Sequence, residues 1–441
     1  VGHYVPHTDA EIEQMLAFVG LSSLDELFAM VPTALRLSGG LDMGDGLSEY
    51  DAMAEMERLA DANDSSLICF AGGGAYDHDI PSVVRRLSGR TEFVTSYTPY
   101  QPEVAQGVLQ ALFEYQTLVS RLAGLPVANA SLYDGASACV EAVNLTVAAS
   151  GKKGVLLSRG VQPNWRAVMR TMAAGTGHEL IDVPLRDGVT DWSAAYGAGD
   201  VGTVMVQYPN YLGCLEDVSA ARSLADSLDA KLVVVSDPVS SGLLHTPGSL
   251  GADVVVGEGQ PFGTPLSLGG PYLGLFACKL EDVRRLPGRL VGETVDADGS
   301  RAYVTTLRTR EQDIRREKAS SNVCTNQTLI AVTAAIHLSW LGTSGLRELA
   351  LRCARGTRYA HEGLLRIDGV EAFAPALTLR EFAVRTKVPA ETIVERMAAE
   401  GFLAGITLDD EYGAGLLVAV TEKRTKAQID RYVEAFEKVV R

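Results

Sequence analysis

Two runs of β-branched residues constrain the fold of this chain more than any other feature. Lys231-Leu232-Val233-Val234-Val235-Ser236 ends at Asp237-Pro238. After a short linker, Ala252-Asp253-Val254-Val255-Val256-Gly257-Glu258 leads into Gly259-Gln260-Pro261-Phe262-Gly263-Thr264-Pro265. Continuous apolar runs of this length, without polar alternation, suit strands covered on both faces of a parallel sheet. Upstream, residues 154–158 and 202–208 read the same way, with helical patterns over 163–174 and 220–228. Strand alternating with helix predicts parallel strands joined by helical crossovers, hence a doubly wound α/β sheet.

In such open sheets, ligands bind beyond the carboxyl ends of the strands. There the first run presents a carboxylate, Asp237, and the second a Gly/Pro-rich turn. An acid so placed can hold the protonated ring nitrogen of a cofactor such as pyridoxal phosphate, and a lysine in the next turn can form the Schiff base. The acid is there and the lysine is not: residues 256–274 contain none, and the turn centres on Gln260. On these residues alone, Asp237 as a simple loop cap is an equal reading.

The chain of 441 residues is long enough for two or three domains, and 46% apolar with 21% charged residues is a globular composition. A net charge of −16 argues against nucleic acid or an anionic membrane as partner, because phosphate contacts need a basic face. No contiguous apolar stretch approaches the roughly 20 residues of a transmembrane helix, and the first residues lack the pattern of a signal peptide. The six scattered cysteines form no C-x-x-C pair and the seven histidines are dispersed, so reduced thiols, a cytoplasmic location and no metal site are expected.

Three parts follow from the punctuation: an N-terminal helical and extended arm (1–70), a large α/β domain (71–330) and a small C-terminal α+β domain (331–441). In the arm, Thr8 and Glu11 have capping-box spacing before a helix whose apolar face is Ile12, Met15, Leu16 and Val19. A second short helix is expected to point Leu24, Leu27 and Phe28 inward. The Gly-rich stretch 37–49 has little core of its own and would need a partner's surface to lie on. The cluster Ala71-Gly72-Gly73-Gly74 lacks G-x-G-x-x-G spacing and reads as a turn rather than a phosphate cradle. Ser96-Tyr97-Thr98-Pro99-Tyr100-Gln101-Pro102 is a stiff loop presenting hydroxyls and aromatic faces, ahead of a long helix from Glu103 closed by Gly124. Tyr133-Asp134-Gly135-Ala136-Ser137 opens another helix. Its free N–H groups could hold an anion at Ser137, or Asp134 could simply cap it. The arginine-rich segment 284–316 reads as a solvated, ion-paired connector. A long apolar helix is expected over 322–341, and a helix, strand, helix, strand and helix from about Arg358 onward.

Tyr97-Thr98-Pro99-Tyr100-Gln101-Pro102-Glu103, Tyr133-Asp134-Gly135-Ala136, Pro209-Asn210, Gly257-Glu258-Gly259-Gln260, Pro287-Gly288-Arg289-Leu290-Val291-Gly292-Glu293-Thr294-Val295-Asp296 and Ser321-Asn322-Val323-Cys324-Thr325-Asn326-Gln327 together resemble the P-protein of the glycine cleavage system. They span nearly the whole chain. Length and the absent lysine resemble subunit 1, the alpha subunit of the two-subunit form. The resemblance implies a fold-type-I, pyridoxal-phosphate-transferase-like domain. It also implies a role in glycine decarboxylation, with the aminomethyl group passed to the lipoyl arm of H-protein. The family's beta subunit (subunit 2) carries the cofactor lysine, and Gln260 occupies the corresponding position here. The resemblance therefore implies an alpha2beta2 assembly, no covalently bound cofactor in this chain, and a degenerate pseudo-site at Ser137, Asp237 and Gln260, with Gln162 where an aromatic ring would stack. It implies further that Ser96, Tyr97 and Tyr100 are lent to the partner's site. A scaffold that merely stabilises a self-sufficient beta subunit, and an independent lyase with an unusual site, are the competing expectations.

Overall fold

The computed structural model describes residues 6–441 apart from 38, 40, 95–97, 196, 268 and 409–410. Its central sheet has seven strands among the described residues: β1 (Val127–Ala128), β2 (Gly154–Ser158), β3 (Glu179–Val183), β4 (Val201–Tyr208), β5 (Lys231–Ser236), β6 (Val254–Glu258) and β7 (Gly274–Cys278). Their order is β1-β7-β6-β5-β4-β2-β3. β6, β5, β4, β2 and β3 run parallel, and β7 is antiparallel to both its neighbours.

The pleat sends alternate side chains of each strand into two separate cores. Leu156, Val204, Val206, Leu232, Val234 and Val255 enter one core. Val155, Leu157, Met205, Val233, Val235, Val254 and Val256 enter the other. Both faces are covered, which is why these strands read as unbroken apolar runs. Helix α1 (Gln106–Ala123) and helix α4 (Val218–Ser227) close the first core; α2 (Gly135–Ser150) and α3 (Pro163–Thr176) close the second. The stripe Val108, Leu112, Tyr115 and Val119 fixes the buried face of α1, and Gly124 ends it in the left-handed conformation (φ 71°). A 3-10 turn over Pro102–Val104 precedes this helix, so it starts later than the Glu103 expected.

One helical run, α5 (Thr328–Leu364), replaces the two separate helices expected around 322–341 and 358–365. It breaks at Gly342 (φ 58°, ψ −175°), a backbone state that glycine adopts without a Cβ penalty. By length and composition α5 could cross a membrane, although charged and polar residues interrupt its apolar stretches. Its apolarity has a local use: Ala331, Ala334, Ala335 and Leu338 fill the sheet's first core, while Ala360 and Leu364 fill the C-terminal one.

That C-terminal core lies under an antiparallel sheet of four strands among the described residues, ordered Val370–Ala372, Glu381–Thr386, Leu416–Ala419 and Ile406–Thr407. Helices α6 (Ala390–Ala399) and α7 (Lys426–Val440) pack on it. Phe70 belongs to this core, stacked 4.0 Å from Tyr432, and Ile68–Cys69 pair in parallel with Phe402–Leu403.

The chain divides into two units, Val1–Ser65 and Ser66–Arg441. In the first, Thr8 and Glu11 close the expected capping box on the helix Asp9–Phe18, of which Leu16 alone is buried. Leu24, Leu27 and Phe28 are exposed rather than inward, because the short 3-10 turn that carries them has no second layer to pack on within this unit. A further helix, Glu49–Asp61, capped by Ser48, buries none of its residues.

Candidate functional site

Beyond the carboxyl ends of β5 and β6 lie Asp237 and Gln260, as the strand pattern predicts. Neither side chain is open to a ligand. Gln260 is 1% exposed. Its Oε1 accepts from the Tyr76 amide at 3.0 Å, and its Nε2 donates to the carbonyls of Tyr76 (3.0 Å) and Thr264 (2.8 Å). This reciprocal pair clasps the loop 71–78 onto the sheet. Asp237 Oδ1 accepts from the Val239 amide at 3.0 Å, and its Oδ2 meets Arg380 Nη2 at 2.9 Å. A guanidinium thus stands where a protonated ring nitrogen would have to be.

The clasped loop is held from its other side by the C-terminal module. Tyr76 donates its hydroxyl to Glu381 Oε2 at 2.5 Å, and Gly73 donates its amide to Glu381 Oε1 at 2.5 Å. Burial pushes the Glu381 carboxyl up to about 7, against those two hydrogen bonds. The Arg380 guanidinium lies 3.4 Å from the centre of the Tyr76 ring. A Cβ on Gly72 would fall 2.3 Å from Glu381 Oε1, so the close approach requires glycine there. The glycine cluster is therefore a turn, as its spacing predicts, and one built for contact with Glu381.

Arg380 Nη1 also approaches His78 Nε2 at 2.8 Å, and His78 Nδ1 lies 2.6 Å from Glu422 Oε2. Since arginine can only donate, Nε2 accepts and the Nδ1–H donates to Glu422. His78, Cys353 and Glu422 lie close enough to hold an ion. Their donor atoms are already engaged with one another and with a guanidinium, which suits a hydrogen-bonded cluster rather than a metal centre.

At the N-terminus of α2, Asp134 Oδ1 accepts from the Ser137 amide at 2.7 Å. Of the two readings open for Ser137, the structure shows the Asp134 cap, which takes the Ser137 amide. The Gly135 amide donates to Glu258 Oε2 at 2.9 Å. Glu258 Oε1 takes the amides of Gln260 (2.9 Å) and Leu273 (2.8 Å). A buried carboxylate from the chain itself thus occupies the helix terminus where a cofactor phosphate would bind. Burial pushes it up to about 8, with the three amides pulling the other way. Gln162, expected in the ring-stacking position, instead caps α3 through the Trp165 amide (2.8 Å) and donates to the Gly73 carbonyl (3.1 Å).

The cavity left among Gly74, Tyr76, Trp165, Asp237 and Arg380 measures about 30 Å³. That is room for a water or two, where sites for small ligands run to about 300 Å³ and more. Lys231 pairs with Glu281 and Asp282 and Lys279 with Asp253, at the opposite ends of the strands. These residues do not fit pyridoxal phosphate. Tyr76, Glu258, Arg380 and Glu381, which close the site, were passed over in the sequence. For Glu258, Arg380 and Glu381 the one signal was charge at the edge of an apolar strand pattern, at the end of β6 and at the start of Glu381–Thr386; Tyr76 carried none.

The second group of site residues is placed differently. Ser96 and Tyr97 lie outside the described residues. Tyr100 is 44% exposed, its ring 5.0 Å from the Arg289 guanidinium carbon and 5.1 Å from that of Arg308. The connector that carries these arginines is solvated and ion-paired in part, as expected: Arg284, Arg285, Arg315 and Arg316 are exposed, and Arg308 pairs with Asp313 at 3.2 Å. Arg289 and Arg310 depart from that reading. Arg289 is buried, and Arg310 donates to the carbonyls of Leu286 and of Gly288 (3.1 Å). Backbone carbonyls hold the Arg310 guanidinium, while Arg289 is held by neutral side chains and one carbonyl.

The sheet order, the antiparallel β7 and the appended α+β module define the fold type I of pyridoxal-phosphate-dependent enzymes. A sphingosine-1-phosphate lyase of Burkholderia pseudomallei superposes with TM-score 0.62 over 93% of this chain and 94% of its own; at 16% identity this is a likeness of fold alone. The sequence profile of the glycine cleavage system P-protein matches residues 2–436. The probable glycine dehydrogenase (decarboxylating) subunit 1 of Moorella thermoacetica is 46% identical over 99% of both chains. A crystal structure of glycine decarboxylase (P-protein) of the glycine cleavage system, in inhibitor-bound form, is 44% identical, with TM-score 0.93 over 99% of this chain and 100% of that one. The chain belongs to the glycine cleavage system P-protein family.

Proposed function

We propose that this chain is the alpha subunit (subunit 1) of a two-subunit glycine decarboxylase in the cytoplasm, inactive by itself. The observation that carries this reading is the closed pseudo-site: Gln260 is clasped to Tyr76, Asp237 is neutralised by Arg380, and Glu258 fills the helix terminus. A P-protein chain so built needs a second subunit to hold pyridoxal phosphate. The beta subunit carries it, in an alpha2beta2 assembly. There the cofactor supplies an electron sink for the carbanion left as CO₂ departs from glycine. The aminomethyl group then passes to the lipoyl arm of H-protein. The Ser96–Gln101 loop is this chain's contribution to that site: Tyr97 or Tyr100 donates to the phosphate or substrate, and Ser96 helps orient them.

A pure scaffold would share the closed pseudo-site, so the two roles part on rates. CO₂ release from carboxyl-labelled glycine is measured with H-protein for each subunit alone and for the two mixed. Activity in the mixture only supports the shared site. A beta subunit as fast alone as in the mixture would leave this chain a scaffold.

A further inference from the structure

Pro287-Gly288-Arg289 belongs to the family pattern, yet the pseudo-site makes no use of it. Arg289 is 3% exposed, and among the described residues no carboxylate is a hydrogen-bond partner of it; Glu311 acts on it only at longer range. Its Nη1 donates to Asn326 Oδ1 (2.9 Å) and Thr325 Oγ1 (3.2 Å). Its Nη2 donates to the Cys324 carbonyl (3.0 Å) and the Tyr100 hydroxyl (2.9 Å). Its own carbonyl accepts from the Ala130 amide at 2.9 Å, and Asn326 Nδ2 returns to the Ala130 carbonyl (3.0 Å) and Ser131 Oγ (3.2 Å). Segments far apart in sequence, around 100, 130, 289 and 325, are thus tied through one side chain.

Burying a guanidinium without a bonded counter-ion is costly, and a neutral residue could fill the space. What a neutral residue cannot supply is a planar fork of donors at fixed angles, and lysine cannot supply it either. The fork ends on the hydroxyl of Tyr100, a residue 44% exposed. Because Tyr100 oxygen accepts from Arg289, its own proton is left to donate, and two guanidinium groups lie within cation–π range of the ring, at 5.0 and 5.1 Å.

We infer that Arg289 is a positioning residue for the shared active site: it fixes the Tyr100 hydroxyl and the Cys324–Asn326 backbone as a preset rim that meets the partner's cofactor. The inference rests on the reading that the 96–101 loop enters the partner's site, and it gives the arginine-rich segment a role in that reaction. Preset geometry of this kind acts on the reacting groups, so its loss falls on kcat more than on KM.

The experiment is a double-mutant cycle in the assembled complex, with Arg289→Lys, Tyr100→Phe and both together, reading glycine decarboxylation and the mass of the assembly. Arg289→Lys is expected to lower kcat about tenfold or more, with KM for glycine within about twofold and assembly intact. The double variant should be no slower than the slower single one, because both changes remove the same interaction. A wild-type kcat in Arg289→Lys, or losses that multiply in the double variant, would overturn the inference. Should Arg289→Lys fail to assemble, the cycle is run with Asn326→Ala and Tyr100→Phe, and multiplying losses there count the same way. Tyr100→Ala separates the two levels. If it too runs at the wild-type rate, the borrowed-loop reading fails and the inference with it. If it is slow while Arg289→Lys is not, the inference alone fails.

Discussion

Position 260 shows how one side chain can both remove a chemistry and stabilise what replaces it. A carboxamide cannot form an imine, but it can donate and accept, and Gln260 does both with the backbone of Tyr76. Gln260→Ala would leave a buried amide and two buried carbonyls without their partner, at a cost of about 3 kcal/mol. A fall in the denaturant midpoint of the isolated chain checks this, and an unchanged midpoint would contradict the clasp. Gln260→Lys is expected to bind no pyridoxal phosphate, since Arg380 and Glu258 still fill the ends of the cavity. An absorbance band of an internal aldimine in that variant would show the site to be more open than its 30 Å³. The buried acids add a pH signature. Glu381 (about 7) and Glu258 (about 8) hold their protons in the folded chain well above the ordinary carboxylate range. The folded state therefore binds more protons than the unfolded one, and their stabilising contribution, full below about pH 4.5, is lost as pH rises toward 8. The unfolding free energy should fall between about pH 5 and 8, by up to about 1.4 kcal/mol per pH unit for each group, and denaturant midpoints with it. Glu258→Gln should flatten part of that slope.

At the scale of elements, the parallel strands and their crossovers were legible because β-branched runs and helical stripes are local signals. Residues 154–158 read from the sequence coincide with β2, and Val233–Val235 and Val254–Val256 divide between two cores as a buried parallel strand must. What closes the site was not legible. Tyr76 meets Gln260 across 184 residues and Glu381 across 305, and no local pattern encodes such pairings. The site was therefore half read: Asp237 and Gln260 were found where the strands end, while the Arg380 that neutralises one and the loop that covers the other were not. The helix expected over 322–341 ends where the backbone breaks, at Gly342; what was not legible is that a second helical stretch follows at once rather than from about Arg358. The loop 71–78 offers a test at this scale. Gly72→Ala places a methyl group against Glu381 and Ala419, where a Cβ would lie 2.3 and 2.5 Å from its neighbours. A loss of about 2 kcal/mol is expected by thermal or chemical unfolding. Gly39→Ala, with nothing within 4 Å, should be neutral by the same measurement.

For the whole molecule, the N-terminal unit carries large apolar side chains in the open. Tyr50, Met53 and Met56 on the helix Glu49–Asp61, with Phe28 and Met30 before it, are more than half exposed. Surface of this kind is characteristic of a subunit interface. Met53→Lys with Met56→Lys should leave this chain folded while weakening its association with the beta subunit, read by sedimentation of the mixture. Unchanged association would place the interface elsewhere. The central claim, that the cofactor chemistry resides in the partner, is tested most directly by borohydride reduction of the assembled complex followed by intact-mass measurement of both subunits. The account predicts a pyridoxyl phosphate adduct on the beta subunit and an unmodified mass for this chain. An adduct on any lysine of this chain would contradict it.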